Sequence, residues 1–199
     1  MTFYCNFAII FHGIPRNWGW TMKTAFIGHR QIFANDINER LLTAIEIEIK
    51  NGCKSFIMGT HGQFDMFALC ACRRLRGKYK DLDIEVVLTS LHAIDKNEAW
   101  DSIPYSDVKT VMYDIEDIHF KRQITLSNRL MINDCDRLIC YVNEKAYRSG
   151  AKTAMNYAKR NGLKIVNLWH EHDDPFYGMT KEQAQEYLQD MLDKFLQND

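Results

Sequence analysis

Apolar residues along this chain fall into short continuous runs that alternate with segments of helical spacing. Thr24-Ala25-Phe26-Ile27, ending at Gly28, predicts a strand buried on both faces. Ile37, Leu41, Ala44 and Ile45 then share one face of a helix that starts near Asp36 and is stopped by Asn51-Gly52. Phe56-Ile57-Met58 predicts a second strand, and Phe64, Ala68, Leu69, Cys72 and Leu75 a second helix ending near Gly77. Residues 84–88 and 108–113 read as the third and fourth strands. Between them a polar segment, 90–107, is long for a connection and is expected to be a lid or ligand-contacting loop. Phe120, Ile124, Ser127 and Met131 repeat at helical spacing, and 138–142 predicts the fifth strand. The helix after Ser149 buries Ala151, Ala154, Met155 and Ala158, and 164–169 predicts the sixth strand. A last helix opens with the capping box Thr180 to Gln183 and sets Ala184, Tyr187, Leu188, Met191 and Phe195 at core spacing.

This alternation predicts the α/β class: a single-domain, doubly wound, mostly parallel sheet of Rossmann-like form with flanking helices. The domain is expected to span 22–199. Residues 1–21, rich in aromatics and lacking a signal-peptide pattern, are read as a non-native or flexible extension, with Met22 as the natural start. The alternative is an arm that packs Trp18 and Trp20 on the surface.

Composition narrows the function classes. A net charge of −1 gives no field for nucleic acid or an anionic membrane, and no window reaches the length of a membrane span. The six cysteines form no CxxC pair and lie mostly in apolar runs, as in reduced core residues of a cytoplasmic protein.

In open α/β sheets ligands sit at the carboxyl ends of the strands, near the reversal of strand order. Three turns are expected there: Gly28-His29-Arg30, Gly59-Thr60-His61-Gly62 and Ser149-Gly150-Ala151-Lys152-Thr153. Gly28 and Gly62 permit close backbone approach, and Arg30 can clamp a phosphate. Thr60, Ser149 and Thr153 can donate hydroxyl hydrogen bonds. Asp65 either caps its own helix or accepts from a ribose hydroxyl. A helix opening Ser-Gly offers unpaired N–H groups to an anion. Neither GxGxxG nor GxxxxGK[ST] is present, which disfavours a dinucleotide-dependent dehydrogenase and a P-loop NTPase. The acidic loop Asp114, Glu116, Asp117 and His119 reads as helix capping, a ribose contact or a Mg²⁺ site beside a pyrophosphate. His170-Glu171-His172-Asp173-Asp174 reads as a polar loop rather than a metal site, and no other cofactor is expected.

Gly28-His29-Arg30, Gly59 to Gly62 with Asp65, Ser127-Asn128-Arg129 and Ser149 to Thr153 together resemble the YpsA-like family of the SLOG superfamily, over roughly 22 to 170. That superfamily includes the Lonely Guy phosphoribohydrolases and the DNA-uptake protein DprA. The resemblance implies binding of a nucleotide-derived, phosphate-bearing ligand, ADP-ribose-like or a nucleoside phosphate, with Arg30 and Arg129 as charged clamps and Lys152 beside the phosphate. Lonely Guy enzymes carry PGGxGTxxE, and here Asn156 falls where the glutamate stands. A neutral amide cannot act as that carboxylate does, so sensing or sequestration without catalysis is expected. The alternative is N-glycosidic cleavage of nucleoside 5′-monophosphates using Asp65 or Glu116. DprA-like single-strand binding conflicts with the charge and with the lack of a basic aromatic groove. The resemblance also allows a homodimer.

Overall fold

The computed structural model describes residues 21–88, 105–115, 118–147 and 149–196. The N-terminal extension up to residue 20, most of the anticipated lid (90–104) and the acidic pair Glu116 and Asp117 lie outside the described residues.

Six strands form one parallel sheet: β1 (Met22–Gly28), β2 (Cys53–Met58), β3 (Asp83–Leu88), β4 (Lys109–Met112), β5 (Arg137–Tyr141) and β6 (Lys164–Asn167). Their order is β4-β3-β2-β1-β5-β6, so the direction of winding reverses between β1 and β5. The helices are α1 (Ile37–Lys50), α2 (Gln63–Arg76), α3 (Phe120–Asn133), α4 (Gly150–Arg160) and α5 (Lys181–Leu196). Alternate residues of β1 feed two cores. Phe26 joins Phe56, Ile139 and Tyr141 against Leu41 and Ile45 of α1 and Phe64 and Leu69 of α2. Ala25 and Ile27 join Leu138 and Cys140 against Met131 of α3 and Ala154, Met155 and Ala158 of α4. Each buried large side chain contributes about 1.5–3 kcal/mol by leaving water. The anticipated α/β, doubly wound architecture is present.

A charged cluster sits on the α3/α4 face of the sheet, away from the strands' carboxyl ends. Glu85, buried in β3, holds Lys23 Nζ at 3.0 Å and Lys109 Nζ at 2.8 Å, and Asp134 takes Lys23 from the other side at 2.8 Å. Burial opposes the charge on Lys23, but the hydrogen bonds and charges of Asp134 and Glu85 outweigh it and raise its pKa.

The sixth strand is shorter than the apolar run 164–169 predicts, because a side chain takes over its last rung. The Asn167 amide accepts the Val142 N–H at 3.0 Å and donates to the Val142 carbonyl at 2.9 Å, as a backbone peptide would. The main chain then leaves the sheet. Residues from His170 form a second compact unit with a 3-10 turn at Glu171–Asp173 and α5. The Thr180–Gln183 capping box forms as its spacing predicts, at 2.9 and 3.3 Å. Two anticipated core positions of α5 are not core: Tyr187 and Leu188 are 42% and 47% exposed. The Tyr187 ring instead meets Phe176 edge-on.

Candidate functional site

The reversal between β1 and β5 places the loop after β1 beside the turn that opens α4, with the N-terminus of α2 adjoining. A cavity of about 320 Å³ lies among them. Seven of the residues singled out from the sequence line it: Gly28, His29, Arg30, His61, Asp65, Ser149 and Gly150. Ile27, Ile124, Asn128 and Ala151 complete the wall. Asn128, from the Ser127-Asn128-Arg129 run that carries the resemblance, stands one turn from Ile124 on α3.

The two glycine-bearing turns differ. At the start of α4, Ser149 caps the helix by accepting the Lys152 N–H at 3.1 Å. The N–H groups of Gly150 and Ala151 have no partner among the described residues, and a Cβ on Gly150 would meet nothing within 4 Å. These first-turn donors border open space and carry the positive end of the helix dipole. At the start of α2 the first helical donor and the turn ahead of it are already engaged. Asp65 Oδ2 accepts the His61 N–H at 2.9 Å, the Gly62 N–H also bonds to this carboxylate, and Gln63 N–H donates to the Arg30 carbonyl at 2.9 Å. Asp65 therefore caps its own helix, one of its two anticipated roles.

Gly28 and Gly62 are required by the protein's own packing. A Cβ on Gly28 would lie 2.3 Å from the Phe64 ring, and one on Gly62 would lie 2.7 Å from Arg30 Cα. Both contacts tie the β1 loop to α2, as does the Ile32 N–H bond to Gln63 Oε1 at 2.8 Å.

The electrostatics of the cavity are uneven. Burial pushes the Asp65 carboxyl up to about 7, against the two backbone N–H bonds that favour its anion. Burial, with the nearby Arg30 charge, brings His61 down to about 4, and its buried Nε2 has no hydrogen-bond partner. Burial also lowers His29. Arg30 is exposed, and none of the described carboxylates pairs with it.

The remaining anticipated residues lie outside this cavity. Gly59 is buried beneath Asp65, with Asp65 Oδ2 3.3 Å from where its Cβ would be, and Thr60 is half-buried in the same turn. Lys152 Nζ reaches back to the Ala146 carbonyl at 3.2 Å. Thr153 donates its hydroxyl to the Ser149 carbonyl at 3.0 Å and borders a second, open cavity of about 410 Å³ with Asn156, Lys159 and Arg160. The Arg129 guanidinium stacks over the Tyr157 ring, 5.4 Å from its centre. A register reading from one strand to the next cannot anticipate that capture by a neighbouring helix.

Among the described residues, no group of three or more His, Cys, Asp or Glu side chains is arranged to hold a metal ion. In the His170–Asp174 stretch, Asp173 accepts the His170 N–H at 2.9 Å and the two histidine rings stack on each other. His119 stands at the N-cap of α3 without a side-chain cap bond, and Asp114 is exposed. No described helix is long and apolar enough to cross a membrane.

No family model and no curated protein matches the chain. Among solved structures, a probable mandelate racemase from Alicyclobacillus acidocaldarius is 15% identical and aligns over 77% of this chain with a TM-score of 0.28. The chain covers 44% of that protein's length, and a likeness at this level carries no argument about fold or activity.

Proposed function

We propose that the cavity at the β1/β5 reversal binds a nucleotide-derived, phosphate-bearing small molecule, a nucleoside phosphate or an ADP-ribose-like ligand. In this reading the protein is a YpsA-like member of the SLOG superfamily that senses or sequesters its ligand without turning it over. One observation carries the proposal: the unpartnered N–H groups of Gly150 and Ala151 border the same cavity as the unpaired Arg30 and the buried Asp65. The α4 end suits a phosphate, by backbone donors, dipole and guanidinium together. The α2 end, with the Gln63 N–H already bonded and a carboxyl in place, suits a hydroxyl or amino group. Absence of turnover is supported at Asn156, which stands at the position of the Lonely Guy glutamate and borders the other cavity.

Isothermal titration against AMP, ADP-ribose, its cyclic forms and NAD tests the proposal. Measurable heat with at least one of them is expected, reduced about tenfold in affinity by Arg30→Ala through loss of a charge-assisted contact. No heat with any of them overturns it.

A second reading has its own support. A buried carboxyl titrating near neutrality in a cavity is suited to proton transfer. In that reading Asp65 protonates the leaving base of a nucleoside 5′-monophosphate. Release of free base from AMP, abolished in Asp65→Asn, would establish it, and AMP bound unchanged for hours would exclude it.

A further inference from the structure

The protons of His29 and Ser149 at the α4 end of the cavity can be traced from one fixed donor. The Asn143 backbone N–H donates to His29 Nε2 at 2.8 Å. A ring nitrogen that accepts carries no proton, so the neutral ring holds its hydrogen on Nδ1. The nearest partner of that nitrogen is Ser149 Oγ, 3.5 Å away. Ser149 Oγ also accepts the Lys152 N–H at 3.1 Å. Both lone pairs of the hydroxyl then face donors, which leaves its own proton free to turn into the cavity that Ser149 lines.

We propose that His29 is a positioning residue, resting on the binding function above: through Nδ1–H it turns the Ser149 hydroxyl proton toward the ligand. The α4 end of the cavity then presents donors only, from Ser149 O–H, Gly150 N–H and Ala151 N–H. Such an end selects a group with acceptors and no hydrogens, a phosphate oxyanion, and rejects a hydroxyl or an amine in the same place. A site built of fixed donors penalises the analogue that leaves them unpaired far more than it penalises a change of size. His29 lines the same cavity, but its effect on the phosphate passes through one hydroxyl. Partial burial disfavours a charge on the imidazole, and protonating Nε2 would require giving up the Asn143 bond.

The ring can be observed directly in the whole wild-type protein. Two-bond ¹⁵N–¹H correlation spectra of histidine distinguish the Nδ1–H tautomer from the Nε2–H tautomer. The Nδ1–H form is expected at His29; an Nε2–H or doubly protonated ring at pH 7 overturns the inference without any variant. Affinity for AMP and ADP-ribose supplies the second measurement. His29→Gln keeps an acceptor for Asn143 and releases the hydroxyl, and should weaken whichever probe the wild type binds by about tenfold. Ser149→Ala should weaken it comparably, and the double variant should be no weaker than the Ser149→Ala single, since His29 acts through that hydroxyl alone. Adenosine, which lacks the phosphate, should bind all four proteins alike. A bound probe whose affinity changes less than twofold in His29→Gln, or losses that simply add in the double variant, overturns the role of His29 and leaves the binding function standing. A wild type that binds neither probe but shows the Nδ1–H tautomer overturns the binding function and, with it, the ligand selectivity inferred here.

Discussion

Replacing Asp65 by Asn should make the protein more stable, and by an amount that depends on pH. In the folded chain the carboxyl is 9% exposed and titrates near 7 instead of 3.8. The folded state thus binds the proton more tightly than the unfolded state. Stability is fully present below pH 3.8 and falls as pH rises, until the carboxyl is ionised in both states above about 7. That interval corresponds to about 4 kcal/mol of penalty at pH 8. An Asn amide oxygen can accept the same His61 and Gly62 N–H bonds and never ionises. Urea unfolding of the two proteins should give similar free energies near pH 4 and diverge by up to about 4 kcal/mol by pH 8, in favour of Asp65→Asn. His61 titrates in both proteins and largely cancels in the difference. A difference that stays constant within about 1 kcal/mol across this range would refute the argument. So would an Asn variant that loses ground as pH rises, which would mean that the capping N–H groups and the helix dipole hold the carboxylate more strongly than burial disfavours it.

Two further outcomes follow from packing and charge. Gly62→Ala should cost about 1–3 kcal/mol in urea unfolding, because its Cβ would lie 2.7 Å from Arg30 backbone, whereas Gly150→Ala should change stability by less than about 0.5 kcal/mol. Equal effects would contradict the assignment of Gly62 to packing and Gly150 to open space. Glu85→Gln should destabilise by about 2 kcal/mol at neutral pH, reduced from the cost of a fully buried pair because Lys109 is 43% exposed and Asp134 still holds Lys23. A neutral outcome would show that the cluster contributes nothing net.

Much of the architecture was legible because strands buried on both faces write continuous apolar runs, as Ala25-Phe26-Ile27 and Leu138-Ile139-Cys140 do. Boundaries were less legible where a side chain imitates backbone: nothing in the run Lys164 to Trp169 announces that Asn167 ends the strand by taking its last rung. At the site, the turns after β1, β2 and β5 were visible as glycines following apolar runs. Their inequality was not, since it depends on where Asp65 Oδ2 and the Arg30 carbonyl point. Arg129 and Thr153 are polar residues at plausible positions, yet each is drawn to a nearer partner, the Tyr157 ring and the Ser149 carbonyl. The exposure of Tyr187 and Leu188 shows a further limit. Periodicity identifies an apolar face of a helix without saying that anything covers it.

The amide of Asn167 has a consequence for how the site can be watched. By bonding both the N–H and the carbonyl of Val142, it ties down the chain one residue before the Asn143 N–H that holds His29. The Val142 amide hydrogen lies past the end of its strand, where exchange with solvent deuterium is ordinarily fast. Here its exchange should be as slow as that of residues inside β5. Asn167→Ala would remove the acceptor and release that hydrogen. A single exchange rate at residue 142 would then report, in the absence of any ligand, whether the imidazole beside it is still held in register.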